Sequence, residues 1–227
     1  MLPLRDSQPG ITRPLVTWAL ILANALVWVL WQLPNLDGSV EDGGYFPCAV
    51  DGACSEPGFA WPVTVLTSMF MHGSWAHLLG NLLFLWIFGN NVEDAMGKVG
   101  YLVFYLLGGT AATATQTFVT LAFQSDAAAE IPNVGASGAI AAVMGAYIVL
   151  HPNARITTLF FFRLFDVRAI WYLGLWFLFQ LLVGGFSVMQ PEQGGGVAFF
   201  AHVGGFAFGM LAVWVFAHRR AERAERW

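Results

Sequence analysis

Six stretches without a charged residue divide this chain: Pro14 to Leu36, Pro57 to Val92, Val99 to Ser125, Ile131 to Ala154, Ala169 to Pro191 and Gln193 to His218. Each is long enough for the roughly 20 apolar residues that a membrane-spanning helix needs. The predicted helices run roughly over 15–33, 76–96, 99–122, 137–151, 169–189 and 198–218. The second window exceeds one span, so Trp61 to Trp75 reads as an approach segment ahead of its helix. The fourth helix is short, because Pro132-Asn133-Val134 precedes it. The expected fold class is an all-α membrane protein: a six-transmembrane-helix bundle in which residues 1–227 form a single polytopic membrane domain.

Composition agrees with this. The 227 residues are 57% hydrophobic and 11% charged, against about 25% charged in a soluble domain. Charge placement then sets orientation. Six crossings put the termini and the second and fourth connections on one side, and that side holds all ten Lys and Arg residues. The opposite loops carry Asp37, Glu41, Asp42, Asp51, Glu56, Asp126, Glu130 and Glu192. By the positive-inside rule the expectation is a multi-pass protein of the cell membrane with both termini cytoplasmic. No basic cluster suits a nucleic acid. Arg5 and Arg13 precede an apolar run containing Ala23-Asn24-Ala25, a pattern that resembles a cleaved signal. Leu26 to Leu33 continue that run beyond any cut there, so the segment is expected to stay as the first helix.

The two cysteines, Cys48 and Cys54, share the first outer loop, Pro34 to Pro57, which reads as the one long irregular segment. An oxidising side permits a disulfide there, and two unpaired thiols remain the alternative. Neither zinc-type spacing nor internal repeats occur.

Candidate chemistry lies inside the apolar windows. Ser137 sits in Gly135-Ala136-Ser137-Gly138, and His202 sits in Ala201-His202-Val203-Gly204-Gly205 with Gly209 one turn on. A hydroxyl and an imidazole at membrane depth are a functional hypothesis by default. At 1.5 Å per residue, Ser137 lies about 20 Å, His202 about 25 Å and His77 about 24 Å above the cytoplasmic ends of their helices, with Asn81 one turn below His77. The second, fourth and sixth helices run in the same direction, so these residues share a level. Ser137, Ala141 and Gly145 on the fourth helix and Gly205 and Gly209 on the sixth form small-residue faces that let two backbones approach closely. Packing those faces together brings His202 toward Ser137. Every acid lies in a loop or tail, so a Ser–His dyad is expected, with packing rather than a carboxylate holding the imidazole.

These residues, together with His77-Leu78-Leu79-Gly80-Asn81 on the second helix, resemble the rhomboid intramembrane serine proteases over about Trp18 to Ala217. The resemblance implies a rhomboid-type bundle whose short central fourth helix carries the nucleophile. It implies Ser137 as nucleophile and His202 as base. It also implies an oxyanion site of His77, Asn81 and the backbone N–H groups of Ser137 and Gly138. Gly135, Gly205 and Gly209 serve helix packing, and neither a metal nor a cofactor is expected. The implied partners are the lipid bilayer and single-pass membrane proteins, cut near the outer boundary. His72 reads as structural, hydrogen-bonding the first loop. His151 and His218 sit at helix ends, and Asn24, Asn90 and Asn91 cap or bridge helices. Gln190 to Gly196 read either as a hinged cap over a water-filled cavity or as an ordinary loop. Two departures stand out. Some members carry an aromatic that stacks on the catalytic His where this chain has Ala141, and some carry a Trp-Arg pair in the first outer loop, which has no Arg here. A catalytically silent rhomboid-like protein that binds membrane clients is the alternative. A transporter or a metalloprotease fits less well, for want of a repeat or of a His-Glu-x-x-His run.

Overall fold

The computed structural model describes residues 1–55, 57–189 and 198–217. A strand, β1 (Leu2–Asp6), leads into α1 (Leu15–Leu26), which continues as a π-helical turn over Val27–Gln32. Then follow α2 (Leu36–Gly43), α3 (Trp61–Thr67), α4 (Trp75–Met96), α5 (Lys98–Phe123), α6 (Asp126–Ala129) and α7 (Ser137–Leu150). A hairpin of β2 (Arg155–Phe160) and β3 (Arg163–Arg168) precedes α8 (Ala169–Met189) and α9 (Phe199–Phe216). Among the described residues, four helical segments are long and apolar enough to cross a membrane: Leu15–Gln32, Lys98–Phe123, Ala169–Val188 and Phe199–Phe216. α7 is apolar but only 14 residues long, and the 22-residue α4 carries Glu93 and Asp94 in its last turn.

The chain is mostly helical but not all-α. β1, β2 and β3 form one antiparallel sheet in that order. Long apolar windows conceal such a sheet, because its signal is a short alternation. Ile156 and Thr158 point inward while Arg155 and Phe160 are exposed, which is the period of a half-buried strand. The first loop is also better ordered than expected. It contains α2, whose N-terminus is capped by Asn35 Oδ1 accepting from Gly38 N–H at 3.2 Å. Cys48 and Cys54 are joined by a disulfide. The stretch 190–196, read as a cap or loop, and His218 lie outside the described residues.

α7 packs on α9, α5 and α4, and every residue from Gly138 to Tyr147 is buried. Its approach to α9 is closest at glycines. A Cβ on Gly205 would overlap the carbonyl oxygen of Gly138, and one on Gly209 would overlap that of Ala142. A Cβ on Gly145 would overlap the carbonyl of Phe206 from the other side. These backbones touch only because the side chains are missing.

Polar side chains pin the remaining ends. Buried Glu93 accepts from Val16 N–H at 3.0 Å and from the N–H and hydroxyl of Thr17, both at 2.8 Å. A carboxylate thus closes the first turn of α1, where free N–H groups and the positive dipole end favour it. Asp94 binds Ile11 N–H at 2.7 Å and the N–H and hydroxyl of Thr12. Asp6, at the end of β1, accepts from the Tyr147 hydroxyl at 2.6 Å and from Asn91 Nδ2 at 2.7 Å, which ties the N-terminal strand to α7 and α4. Burial raises the Asp6 carboxyl above its ordinary value, against the lowering effect of these two donors.

Substitutions at two glycines have contrasting expected outcomes. Gly209→Val should force α9 off α7 and cost about 1–3 kcal/mol, as overpacking does. Gly174→Ala, where a Cβ meets nothing within 4 Å, should be neutral or slightly stabilising. Thermal unfolding in detergent separates the two. Because the folded-state pKa of Asp6 is raised, its contribution to stability is complete below the unfolded carboxyl value near 3.8 and is lost as pH rises through the folded one. Asp6→Asn should therefore flatten the fall of the melting temperature over that window, read from melts at a series of pH values.

Candidate active site

The site is built on the first turn of α7. The segment before it is irregular, and its backbone is held at Asn133 and Gly135. Tyr45 and Asn133 exchange backbone bonds of 3.1 and 2.7 Å, and Gly135 N–H donates to the Ser68 carbonyl at 2.9 Å. Irregular backbone at membrane depth survives only with such partners. Gly135 has φ +136°, and a Cβ there would lie 2.8 Å from His77 Nε2. Both the conformation and the space demand glycine. α7 then starts at Ser137 with no side chain capping it, so its first N–H groups have no partner within the helix.

α9 delivers the imidazole. Its N-terminus is closed by Gln116 of α5, whose Oε1 accepts from the N–H groups of Phe200 and Ala201 at 3.0 and 3.1 Å. His202 Nε2 lies 2.8 Å from Ser137 Oγ, and His202 Nδ1 lies 2.9 Å from Gln180 Oε1 on α8. An amide oxygen only accepts, so Nδ1 carries the proton and Nε2 presents its lone pair to the serine hydroxyl. The Trp176 ring, one turn before Gln180, tilts over the imidazole at 5.8 Å and 44°.

α4 supplies the facing wall. Ser74 caps it, its Oγ accepting from His77 N–H at 3.1 Å. His77 Nδ1 accepts from Gly73 N–H at 3.4 Å, which leaves the ring proton on Nε2, the atom nearest Gly135 and the start of α7. One turn on, Asn81 is buried and its Nδ2 has no hydrogen-bond partner. Ser137, His202, His77, Asn81, Gln180 and Trp176 all line one cavity of about 490 Å³. Gly138 lies behind, where a Cβ would meet Ala112 at 2.6 Å.

The structure thus brings Ser137, His202, His77 and Asn81 to one cavity, with Gly135 beneath His77 and Gly205 and Gly209 in the α7–α9 contact. His72 is fully buried, but in place of the expected bond to the first loop its backbone pairs with Gln32 at the end of the first helix, and its ring nitrogens have no hydrogen-bond partner. Its N–H donates to Gln32 Oε1 at 2.8 Å and its carbonyl accepts from Gln32 Nε2 at 2.9 Å. Its ring packs edge-on to His77 at 5.1 Å. Asn24 bonds back to the Leu20 carbonyl at 2.7 Å, Asn91 bridges to Asp6, and His151 ends α7 against Tyr147. Among the described residues no three His, Cys, Asp or Glu side chains converge to hold a metal.

Sequence reasoning missed Gln180, Trp176 and Gln116. Depth was the available signal for Gln180: twelve residues above Arg168, it stands about 18 Å up, level with Ser137. Trp176 then follows as its neighbour at i−4.

The family model described as Rhomboid domain matches residues 60–219. The chain is 28% identical over 221 residues to Rhomboid protein 1, mitochondrial, of Saccharomyces cerevisiae, covering 93% of this chain and 58% of that protein. It is 29% identical over 214 residues to RHOMBOID-like protein 12, mitochondrial, of Arabidopsis thaliana, covering 89% and 59%. It is 30% identical over 159 residues to Presenilin-associated rhomboid-like protein, mitochondrial, of Mus musculus, covering 69% and 37%. The chain therefore spans little more than a third to three fifths of the length of these relatives. All three are named as mitochondrial proteins, which overturns the expectation of a cell membrane with cytoplasmic termini. Charge asymmetry distinguishes the two faces of a membrane without naming the membrane. With the family domain covering most of its length, from α3 through the end of α9, the chain belongs to the rhomboid family.

Proposed function

We propose that this chain is an intramembrane serine endopeptidase that cuts membrane-spanning segments by a Ser137–His202 dyad. The observation that carries the proposal is the 2.8 Å contact between Ser137 Oγ and the unprotonated nitrogen of His202 on the wall of an open cavity. A serine hydroxyl becomes a useful nucleophile when such a base takes its proton. Ser137 Oγ attacks the scissile carbonyl carbon while His202 Nε2 accepts the proton. The tetrahedral oxyanion is held by Asn81 Nδ2, His77 Nε2–H and the N–H groups of Ser137 and Gly138 at the positive end of α7. His202 returns its proton to the leaving amine. Water in the cavity, activated by the same nitrogen, then hydrolyses the acyl-enzyme.

Asn81 supports this assignment separately. Leaving a buried amide donor without a partner costs about 1–3 kcal/mol. A donor kept in that state on a cavity wall is poised for an acceptor that arrives with the substrate.

The topology that accompanies this reading has six crossings. α4 and α7 join the four longer helices, and the basic residues share one side. The substrate is a single-pass membrane protein cut near the opposite, acidic side. A helical segment hides its carbonyls in hydrogen bonds, so a substrate with Gly or Pro near the cut unwinds more readily. The relatives' names point to a mitochondrial membrane as the setting.

Purified protein incubated with a transmembrane reporter tests the proposal. Ser137→Ala should lower turnover on the order of 10³-fold or more. Equal cleavage by both proteins, or none by the unaltered chain on any reporter, would reject the assignment in favour of a silent client-binding protein. Asn81→Ala should lower kcat by about 10²–10³-fold with little change in KM, as loss of one oxyanion donor does.

A further inference from the structure

We infer that Gln180 is the positioning residue of this dyad, holding His202 as the tautomer that can act as a base, with Trp176 fixing the plane of the ring. The inference rests on the protease reading above and deepens it. Three observations support it. Gln180 Oε1 lies 2.9 Å from His202 Nδ1, on the opposite edge of the ring from Ser137. Gln180 is 6% exposed inside an apolar helix, so an amide there is retained against a desolvation cost. Trp176 and Gln180 are four residues apart on α8, and both reach the same imidazole.

The chemistry follows from the donor inventory. A neutral imidazole has one N–H and one lone pair. With the N–H on Nδ1, bonded to Gln180, the lone pair on Nε2 receives the Ser137 proton. In the other tautomer Nε2 carries the proton and Ser137 is not activated. When His202 becomes an imidazolium during attack, the Nδ1–H bond to the amide dipole strengthens, because a charged donor makes the stronger bond. α8 thus supplies both the orienting bond and the ring contact that Ala141 does not. Gln180 bonds His202 Nδ1 rather than Nε2 or Ser137 Oγ, and so acts through His202.

Two variants test this with the full chain. Gln180→Met keeps volume and removes the acceptor, and Gln180→Glu keeps the acceptor and adds a charge. The first readout is kcat and KM on the transmembrane reporter. The second is the pH dependence of labelling by a serine-reactive phosphonate, which needs no substrate. Gln180→Met should lower kcat roughly 10-fold with KM nearly unchanged and thermal unfolding near that of the parent chain. Gln180→Glu should retain labelling and move its acid limb to higher pH, because a carboxylate beside the ring favours the imidazolium and a higher pH is then needed to free the base. The inference is overturned if Gln180→Met keeps the parent kcat. It is also overturned if both variants lose activity only in step with lost stability, with the acid limb unmoved. Ser137→Ala in parallel separates the two readings. If it is inactive while the Gln180 variants match the parent chain, only the role of Gln180 fails. If it labels and cleaves like the parent chain, the dyad itself fails.

Discussion

The backbone contact between α7 and α9 is the constraint on which the rest of this structure depends. Inside a bilayer, apolar surface gives two helices no reason to prefer each other over lipid, so close packing and polar contacts must hold them. Here the carbonyls of Gly138 and Ala142 lie where Cβ atoms of Gly205 and Gly209 would be. Gly138 is adjacent to Ser137, and Gly205 lies one turn from His202. The register that lets the backbones meet is therefore the register that sets Ser137 Oγ against His202 Nε2. A shift of one residue along either helix would separate them by 1.5 Å or more along the axis. That displacement is enough to break a 2.8 Å hydrogen bond.

Around that contact, polar groups satisfy one another instead of water. Gln116 reaches from α5 to close α9, Glu93 reaches from α4 to close α1, and Gln32 makes a two-bond clasp with the backbone of His72. Each joins segments distant in sequence, and each removes an orphan donor or acceptor that lipid would penalise. The short α7 follows from the same economy. Its irregular entry segment is held by the backbone partners that Tyr45 and Ser68 supply to Asn133 and Gly135. The same segment lines the cavity in which Asn81 keeps a free amide.

The sequence revealed much of this because helices in lipid obey simple arithmetic. Charge-free windows mark helices, rise per residue gives depth, and small residues mark close faces. Those three rules bring Ser137, His202, His77 and Asn81 to one level, and the structure lines one cavity with all four. The sheet was illegible because its signal is a two-residue alternation. In Ile156-Thr157-Thr158 that alternation sits beside long apolar windows that mask it. Gln180 was illegible because an uncharged amide does not interrupt an apolar window, and its value is relational, visible only once α8 lies beside His202. The choice of membrane was illegible for another reason: basic residues distinguish the two faces of a bilayer and say nothing of which bilayer it is.

On the proposed reading an amide stands where soluble serine proteases place a carboxylate, and this has a physical rationale. A carboxylate at Gln180 would lie buried beside Trp176, on a helix facing lipid, with a neutral imidazole as its only resting partner. Such an ion is costly to desolvate, and that cost is offset only when the imidazole beside it becomes an imidazolium. An amide avoids the ion but loses the symmetry of two equivalent oxygens. Only one of its ends accepts, and the other donates. If the amide turned over, its NH₂ would face Nδ1, the proton would move to Nε2, and Ser137 would face a donor rather than a base. On the proposed reading, the competence of the dyad depends on which way one buried amide points.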